Sequence, residues 1–427
     1  KRNCRQDSLG QSETMYMSFL GPCLSGFCKG LTEDSMIVLE SVFTILSVLL
    51  FCPVAVLFLQ VVTALLPRRV SVAISSARPR LTVLVPAHDE AAVIGDTLAL
   101  LLPQLVAGDR LLVVADNCSD DTADIARVAG AEVIARTDMS RRGKSHALDY
   151  GVRHLELDPP EVLIIVDADC RVEAQAIDRL ARRCGSTGRP VQALYLMHAR
   201  AGACLKTRIA AFAWRVKNQV RPLGYQRLGL PCPLMGTGMA FPWRLVAGMN
   251  LANAHIVEDM KLGIDLALAG HPATFCADAV VSSFFPLAAS AARSQRKRWE
   301  HGHLSLILQE VPRLLWRAVL KADFRLLALV LDLVVPPLAL LVVLLTGLLT
   351  LAAGAAVLGA STLALEIAFV AFGLLAIAVF LAWYGWGREV VSLRDLLSVP
   401  GYVLAKLPLY LQFWTHREKD WVRTDRN

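Results

Sequence analysis

The chain of 427 residues is 55% hydrophobic and has a mean hydropathy of +0.48, so it is too apolar for an ordinary soluble enzyme. Charged residues still make up 19% of the sequence and are frequent in its middle, which excludes a protein made of membrane helices alone. This composition predicts a globular domain joined to membrane helices. The net charge of +7 is spread along the chain, so an anionic lipid surface explains it better than nucleic acid, which we exclude as a partner.

Ten cysteines are scattered through the chain without a Cys-x-x-Cys pair or a Cys/His cluster at zinc spacing. This scatter indicates a reducing, cytosolic domain and excludes a disulfide framework. Residues 1–35 are polar and show no regular period, so we predict a disordered tail. Residues 36–66 form the first long apolar run and predict a transmembrane helix. Arg68 and Arg69 follow it, which places the next domain on the cytoplasmic side of the membrane.

Residues 81–317 have the composition of an α/β domain, in which short apolar runs alternate with amphipathic segments. The predicted strands cover residues 81–86, 110–115, 132–135 and 162–166, and the predicted helices cover residues 91–105, 120–129 and 144–155. Alternating strands and helices predict a doubly wound, mostly parallel, Rossmann-like sheet. Right-handed crossovers would then place the loops after the first, second and fourth strands on one edge, which is the candidate site.

The C-terminal part of the chain is apolar again. Residues 326–386 predict an interfacial helix followed by two transmembrane helices, with a break at Pro336 and Pro337. Residues 396–427 hold a shorter apolar stretch that contains prolines, so we predict an interfacial helix and a basic C-terminal tail. The expected architecture is therefore a cytoplasmic α/β domain flanked by transmembrane and interfacial helices.

The apolar strand at residues 162–166 ends in two carboxylates, Asp167 and Asp169. Because open α/β sheets bind ligands at the carboxyl ends of their strands, these side chains are expected at the site. Oxygen ligands of this kind suit Mg²⁺ or Mn²⁺, which can bridge the phosphates of a nucleotide. The alternative is that the two acids only cap the junction between strand and loop.

Three further polar patches fall on the same predicted edge. Glu90 opens the helix after the first strand, where it either contacts a nucleobase or ribose or simply compensates the helix dipole. Asp116 ends the second strand and can accept a hydrogen bond from a base or a ribose hydroxyl. Lys144 lies in a cationic turn that could neutralise a diphosphate, although a solvated basic loop explains the turn equally well.

Glu258 and Asp259 are paired acids at the start of an amphipathic helix. We expect one of them to face the site and the other to cap the helix. A carboxylate in a partly buried cleft is a credible general base for deprotonating a hydroxyl, so both acids are candidate catalytic residues.

Gln295, Arg298 and Trp299 lie just before the chain turns apolar again. On a helix, Gln295 and Arg298 share one face, with the indole adjacent. An indole can stack on a sugar or a base, and an arginine can bind a phosphate with two parallel hydrogen bonds. The alternative is a basic and aromatic anchor at the membrane interface.

Six motifs in this order resemble the family 2 glycosyltransferases over residues 81 to about 306. They are Pro-Ala-His-Asp-Glu, Ala-Asp-Asn-x-Ser-Asp-Asp-Thr, Arg-Gly-Lys-x-x-Ala-Leu, Val-Asp-Ala-Asp, Glu-Asp-x-x-Leu-Gly and Gln-x-x-Arg-Trp. The sequence is most similar to the membrane-bound branch with cellulose and hyaluronan synthases, ceramide glucosyltransferase and bacterial exopolysaccharide transferases. The resemblance implies a GT-A fold, a nucleotide-diphosphate sugar donor and inversion at the anomeric carbon.

The resemblance also implies a role for each matching residue. Glu90 and Asp116 would bind uridine, and Lys144 would lie near the diphosphate or the base. Asp167 and Asp169 would hold the nucleotide and Mg²⁺ or Mn²⁺, and Asp259 would deprotonate the acceptor hydroxyl. The diphosphate and acceptor would be enclosed by Gln295, Arg298 and Trp299. Residues 235–241 resemble the acceptor-side loop of the family. The chain departs from the family pattern at Asn117, where glycine is usual.

Three predicted spans are too few for a polysaccharide channel in one chain. We therefore expect a hexosyltransferase that moves a sugar from a UDP-sugar to a membrane lipid or lipid-linked oligosaccharide. Bacterial exopolysaccharide biosynthesis at the inner membrane is the expected setting, with other polysaccharide-export proteins as one option for partners. The first alternative is a processive polysaccharide synthase acting as an oligomer or with a partner. An inactive membrane scaffold is disfavoured because every motif acid is present.

Overall fold

A computed structural model of the protein describes residues 33–67, 77–249, 251–252, 257–398 and 410. The predicted disordered tail lies almost wholly outside these residues, as does most of the predicted C-terminal interfacial helix and tail. The described chain begins with a 32-residue helix, α1 (Glu33–Ala64), which contains Pro53 and is apolar along most of its length.

The α/β domain begins with strands and helices in alternation. In chain order these elements are β1 (Leu81–Ala87), α2 (Ile94–Leu101), β2 (Arg110–Asp116), α3 (Thr122–Val128), β3 (Glu132–Arg136), α4 (Lys144–Leu155), β4 (Val162–Ile165), β5 (Arg171–Val172), α5 (Ala176–Thr187) and β6 (Val191–His198). The predicted strands and helices match them to within a few residues. The first predicted helix is too long, because α2 ends in a 3₁₀ turn that contains Pro103.

The second half of the domain continues with more helix. Its elements are α6 (Leu205–Arg215), a π-helical turn (Val216–Val220), α7 (Arg221–Arg227), β7 (Met239–Pro242), α8 (Trp243–Val246), α9 (Glu258–Leu268), β8 (Thr274–Phe284) and α10 (Ala289–Leu320). Since α6, the π turn and α7 follow one another directly, they form one helical segment with a local widening. Such single π turns are frequent at functional sites.

All eight strands form one sheet in the order β3-β2-β1-β4-β7-β6-β8-β5. The first four of these strands are parallel, with β1 pairing to both β2 and β4. Strand β7 runs antiparallel to both β4 and β6, so the other half of the sheet is mixed. The predicted α/β fold is thus confirmed, and its parallel half carries the expected site edge.

Strands β1, β2 and β4 are buried on both faces, which explains their continuous apolar runs, whereas the edge strand β3 is partly exposed. Leu84, Leu112 and Ile164 are fully buried in this core. Helix α4 approaches the sheet closely at Gly151, where an added Cβ would lie 2.6 Å from a methyl carbon of Leu84. A residue larger than glycine at this position would push α4 away from the strands and displace its first turn, which holds Lys144.

The apolar C-terminal part is helical. Its elements are α11 (Phe324–Val334), α12 (Leu338–Val357), α13 (Leu363–Ala382), a π-helical turn (Trp383–Gly387) and α14 (Leu393–Leu397). The break between α11 and α12 falls at residues 335–337, as the two prolines predict. Three helices in the described part of the chain are long and apolar enough to cross a membrane, namely Asp34–Ala64, Leu338–Val357 and Leu363–Gly387.

A buried polar network joins α1 to the α/β domain. Gln60 of α1 donates to Asp332 of α11 at 2.6 Å, and Arg221 of α7 pairs with the same carboxylate at 2.9 Å. Arg221 also donates to Oε1 of Gln60 at 3.2 Å, so each side chain contacts the other two. Because an unpaired buried charge is costly, this triad fixes how the three helices meet.

The backbones of α1 and α7 also touch at Gly224. A Cβ at this position would collide with the backbone oxygen of Gln60, and it would lie 2.8 Å from Oγ1 of Thr63. Only glycine therefore allows the two helices to approach closely enough for the triad to form.

Gly224→Ala should lower the stability of the purified protein by about 1–3 kcal/mol, because α7 must shift away from α1. Thermal unfolding in detergent measures this as a lower melting temperature. Gly347→Ala in α12 is the matched control, since an added methyl there meets no atom within 4 Å. Equal melting temperatures for the two variants would contradict the proposed close contact.

Candidate active site

A cavity of about 340 Å³ lies at the carboxyl edge of the parallel strands. Its walls come from the loops after β1, β2 and β4 and from the first turns of α4 and α9, and α10 closes one side. All ten candidate site residues line it, namely Glu90, Asp116, Lys144, Asp167, Asp169, Glu258, Asp259, Gln295, Arg298 and Trp299. The structure thus brings together residues that are up to about 200 positions apart in the sequence.

Asp116 is held by an arginine that the sequence analysis did not identify. Asp116 is 4% exposed, and its Oδ1 lies 2.5 Å from Nη1 of Arg136. The two residues are direct partners in the register of β2 and β3, so the sheet itself aligns them. Arg136 could have been identified from the sequence, because it is a basic residue directly after the neighbouring predicted strand. The pairing keeps the Asp116 carboxylate fixed at the cavity wall.

Asn117 explains the departure from the usual glycine of the motif. Its backbone has φ = 53°, in the left-handed region that glycine adopts freely and asparagine tolerates. Its side-chain Oδ1 accepts from the backbone N–H of Asp138 at 2.7 Å, and its Nδ2 donates to Asp116 at 3.0 Å. Asparagine therefore preserves the turn and also ties the loop after β3 to the strand end.

Asp167 and Asp169 follow β4 directly and lie near Cys170. One ligand atom from each of these three residues lies within 4.8 Å of the others. Burial raises the pKa of the Cys170 thiol well above its usual range. Sulfur is in any case a soft donor that suits a hard cation poorly. The backbone N–H of Asp167 donates to Oγ1 of Thr237 at 3.0 Å, which fixes the start of the acidic loop. The two carboxylates are the groups suited to a divalent metal.

Lys144 links the acidic loop to the loop before β7. Its ammonium forms an ion pair with Asp167 and donates to the backbone oxygen of Gly236 at 2.6 Å. Burial alone lowers the Lys144 pKa, but the nearby charges of Asp167 and Glu258 outweigh it and raise the pKa. Lys144 is therefore a cation in the centre of the cavity, and it begins α4 where a phosphate would meet the helix N-terminus.

Glu258 and Asp259 occupy the first turn of α9 and both line the cavity. The expectation that one of them caps the helix is wrong, because Val257 occupies the N-cap position and makes no side-chain cap bond. Burial, together with the Asp259 charge, raises the pKa of Glu258 to about 7. Burial also raises the pKa of Asp259. Glu258 can therefore accept a proton near neutral pH, and Asp259 binds a proton more readily than an exposed aspartate does.

Trp299 of α10 packs against Trp214 of α6, a residue that the sequence analysis missed. Their ring centroids are 4.7 Å apart at an interplanar angle of 42°. Trp214 is held in place because its Nε1 donates to the backbone oxygen of Tyr195 at 3.2 Å. Gln295, one turn before Trp299, is 6% exposed, and its Oε1 has no hydrogen-bond partner among the described residues.

The sequence analysis also missed four residues that line one end of the cavity. They are Lys217, Arg221, His303 and Asp332, which come from the π turn, α7, α10 and α11. Burial, together with the charge of Lys217, lowers the His303 pKa to about 3, so this imidazole is neutral. Its Nε2 forms a hydrogen bond with the backbone oxygen of Leu333 at 3.0 Å. No motif marks these residues, because their helices meet only in the folded chain.

The structure places two acid pairs and Lys144 at the carboxyl edge of an α/β sheet. The glycosyltransferase motifs predict this arrangement. Residues 79–302, more than half of the chain, match the family described as glycosyltransferase like family 2. The chain belongs to that family.

Similar proteins of known sequence match only part of the chain. The probable glycosyltransferase YdaM from Bacillus subtilis is 36% identical over 107 residues, which are 23% of this chain and 25% of that protein. The 4,4'-diaponeurosporenoate glycosyltransferase of Staphylococcus aureus is 40% identical over 77 residues, which are 17% of this chain and 20% of that protein. The chain thus matches about a quarter or less of the length of these curated relatives.

One solved structure resembles nearly the whole chain. The mannosyltransferase PcManGT from Pyrobaculum calidifontis, in complex with GDP-Man and Mn²⁺, aligns with a TM-score of 0.53 at 18% identity. The alignment covers 89% of this chain and 100% of that chain. This likeness shows a shared fold and confirms the predicted GT-A architecture.

Glu258 should make the stability of the protein depend on pH. Between its ordinary pKa of 4.5 and the folded value of about 7, the folded state keeps a proton that the unfolded state has lost. Stability should therefore fall as the pH rises through this range, and Glu258→Gln should flatten the fall. Melting temperatures at pH 5, 6, 7 and 8 measure this. The exposed Glu156→Gln is the control, and an unchanged slope in Glu258→Gln would contradict the assignment.

Proposed function

We propose that the protein is an inverting, metal-dependent hexosyltransferase that moves a sugar from a nucleotide-diphosphate sugar to a hydroxyl group of a membrane lipid or lipid-linked saccharide. The observation that carries this proposal is the single cavity in which the acid pair after β4, the Lys144 ammonium and the acid pair of α9 all meet. Such a site can place a donor phosphate beside an acceptor hydroxyl.

The nucleotide would occupy the outer part of the cavity. Asp116, fixed by Arg136, presents a carboxylate to a base N–H or a ribose hydroxyl, and Glu90 lies on the same wall. Lys144 and Arg298 supply positive charge for the diphosphate. Uridine as the base follows from the motif resemblance. PcManGT, by contrast, holds GDP-Man.

A divalent cation fits the acidic loop. Asp167 and Asp169 offer hard oxygen donors, whereas the neighbouring thiol of Cys170 offers a soft sulfur. These carboxylates would hold Mg²⁺ or Mn²⁺, which would help neutralise the leaving diphosphate. PcManGT was solved with Mn²⁺, which supports this proposal.

The acceptor would be activated by α9. Asp259 takes the proton of the acceptor hydroxyl as its oxygen forms a bond to the anomeric carbon, and the bond from that carbon to the diphosphate oxygen breaks. Attack from the face opposite the leaving group inverts the anomeric centre. Glu258 lies beside Asp259, and burial together with the Asp259 charge raises the proton affinity of Glu258. Trp299 and Trp214 form an aromatic wall against which a sugar ring can stack.

The membrane placement completes the proposal. We assign residues 36–66 and two segments within residues 326–386 to the membrane, and residues 81–317 to the cytoplasmic side. The three candidate spans and the contact of Gln60 with the cavity residues Arg221 and Asp332 support an acceptor that arrives from the lipid phase. A role in bacterial exopolysaccharide assembly at the inner membrane is part of this proposal. Sugar addition in single steps fits three spans better than a processive channel does.

Asp259→Asn should abolish sugar transfer, by a factor of about 100 or more, while donor binding survives, because only the proton acceptor is lost. Transfer of radiolabelled sugar and calorimetric titration with UDP measure the two effects separately. Asp265→Asn, two turns later on α9 and paired with Lys261, is the matched control and should transfer normally. Transfer by Asp259→Asn near the wild-type rate would refute the base assignment.

Removing divalent cations with a chelator should prevent tight binding of UDP, and Mn²⁺ should restore it. Asp169→Asn should weaken Mn²⁺-dependent UDP binding about tenfold or more, since one charged metal ligand becomes neutral. Asp124→Asn on the exposed face of α3 serves as the control. UDP binding that is equally tight with and without metal would rule out the metal site.

A further inference from the structure

Lys217 is one of the cations that line the cavity. It lies in the π turn between α6 and α7, and its Nζ is 5.7 Å from the ring centroid of Trp214. Within the described part of the chain, Lys217 makes neither a hydrogen bond nor an ion pair, whereas Lys144 contacts Asp167 and Arg221 contacts Asp332. Burial lowers the Lys217 pKa, and the negative charges of Asp259, Asp332 and Glu300 offset this effect only in part.

Lys217 also marks the point where two cavities join. A second cavity of about 120 Å³ shares Trp214, Lys217, Arg221, Trp299 and His303 with the first. The shared residues form a common wall, so a ligand can extend from one cavity into the other past the lysine.

Apolar residues next to the membrane helices line much of the second cavity. Leu57 comes from α1, Pro336 from the break before α12, and Leu338 from the first turn of α12. Both α1 and α12 are long and apolar enough to cross a membrane. This cavity therefore leads from the reaction centre toward the region that we assign to lipid.

The order of groups along the two cavities restricts the acceptor. Asp259 lies in the first cavity, and the Lys217 ammonium lies at the junction. Mostly apolar side chains follow in the second cavity, where Arg296 and Glu300 are the charged lining residues that the first cavity does not share. A ligand that matches this order carries a hydroxyl, then an anionic group, then an apolar chain. A phosphodiester or diphosphate can join the other two parts, whereas the carboxylate of a fatty acid ends its chain.

We propose that the acceptor is an anionic amphiphile whose phosphate or diphosphate binds Lys217 while its apolar chain enters the second cavity. This inference rests on the proposed function and names its acceptor class. During transfer the hydroxyl of this ligand attacks the anomeric carbon, Asp259 receives the hydroxyl proton, and the nucleoside diphosphate leaves. The phosphate bound by Lys217 does not react.

The test is a lipid-binding measurement on the full chain in neutral detergent, with no sugar donor present. The ligands are radiolabelled phosphatidylglycerol and geranylgeranyl diphosphate, with diacylglycerol and geranylgeraniol as uncharged counterparts. The anionic member of at least one pair should bind about tenfold or more tightly than its neutral counterpart, because it gains a charge-assisted contact. Which pair shows the preference identifies the source of the phosphate as a glycerophospholipid or an isoprenoid carrier.

Lys217→Met should remove this preference, Lys217→Arg should keep most of it, and the exposed Lys321→Met should leave it unchanged. Melting temperatures and Mn²⁺-dependent UDP binding check that each variant folds and retains its donor site. Equal binding of anionic and neutral lipids, or an unchanged preference in folded Lys217→Met, would overturn the inference. Failure of UDP binding with the lipid preference intact would instead contradict the proposed function.

Discussion

Four carboxylates crowd around one lysine, and the arrangement of the whole site depends on this balance of charge. Asp167 and Asp169 arrive from the sheet edge and Glu258 and Asp259 from α9, with Lys144 between them. The acids of α9 retain protons more firmly because they are buried, and the like charges around them add to this effect. The acids after β4 provide the oxygen ligands that a divalent cation requires. A base and a metal site therefore follow from the same electrostatic constraint.

A second buried polar contact joins the reaction site to the apolar helices. The triad of Gln60, Arg221 and Asp332 ties α1 to the helical segment that also carries Trp214 and Lys217. The deep wall of the cavity is thus built by residues on both sides of the boundary between the α/β domain and the apolar helices. A fragment limited to the α/β domain would lose Gln60 and Asp332 and leave the Arg221 guanidinium unpaired, which is strongly unfavourable.

The parallel half of the fold and the ten candidate site residues could be predicted from the sequence because local patterns carry them. Buried parallel strands such as β4 appear as continuous apolar runs, and polar residues after such runs meet at one sheet edge. The antiparallel β7 and the residues Arg136, Trp214 and Lys217 could not be predicted in this way. Arg136 depends on the register of two strands, and Lys217 lies in a π turn that lines the cavity together with residues of α10. The prediction that one acid of α9 caps the helix was wrong. Val257 occupies the N-cap position, and both acids line the cavity.

We propose that this cavity transfers a sugar from a nucleotide to a lipid-phase acceptor. Incubating the full chain in detergent with lipid extract, Mg²⁺ or Mn²⁺ and a panel of radiolabelled UDP- and GDP-sugars tests it most directly. We predict that one donor transfers label to a product that partitions into organic solvent, and that a chelator abolishes this transfer. A long water-soluble polymer would instead favour the processive alternative, and the absence of both transfer and donor hydrolysis with every sugar nucleotide would contradict the account.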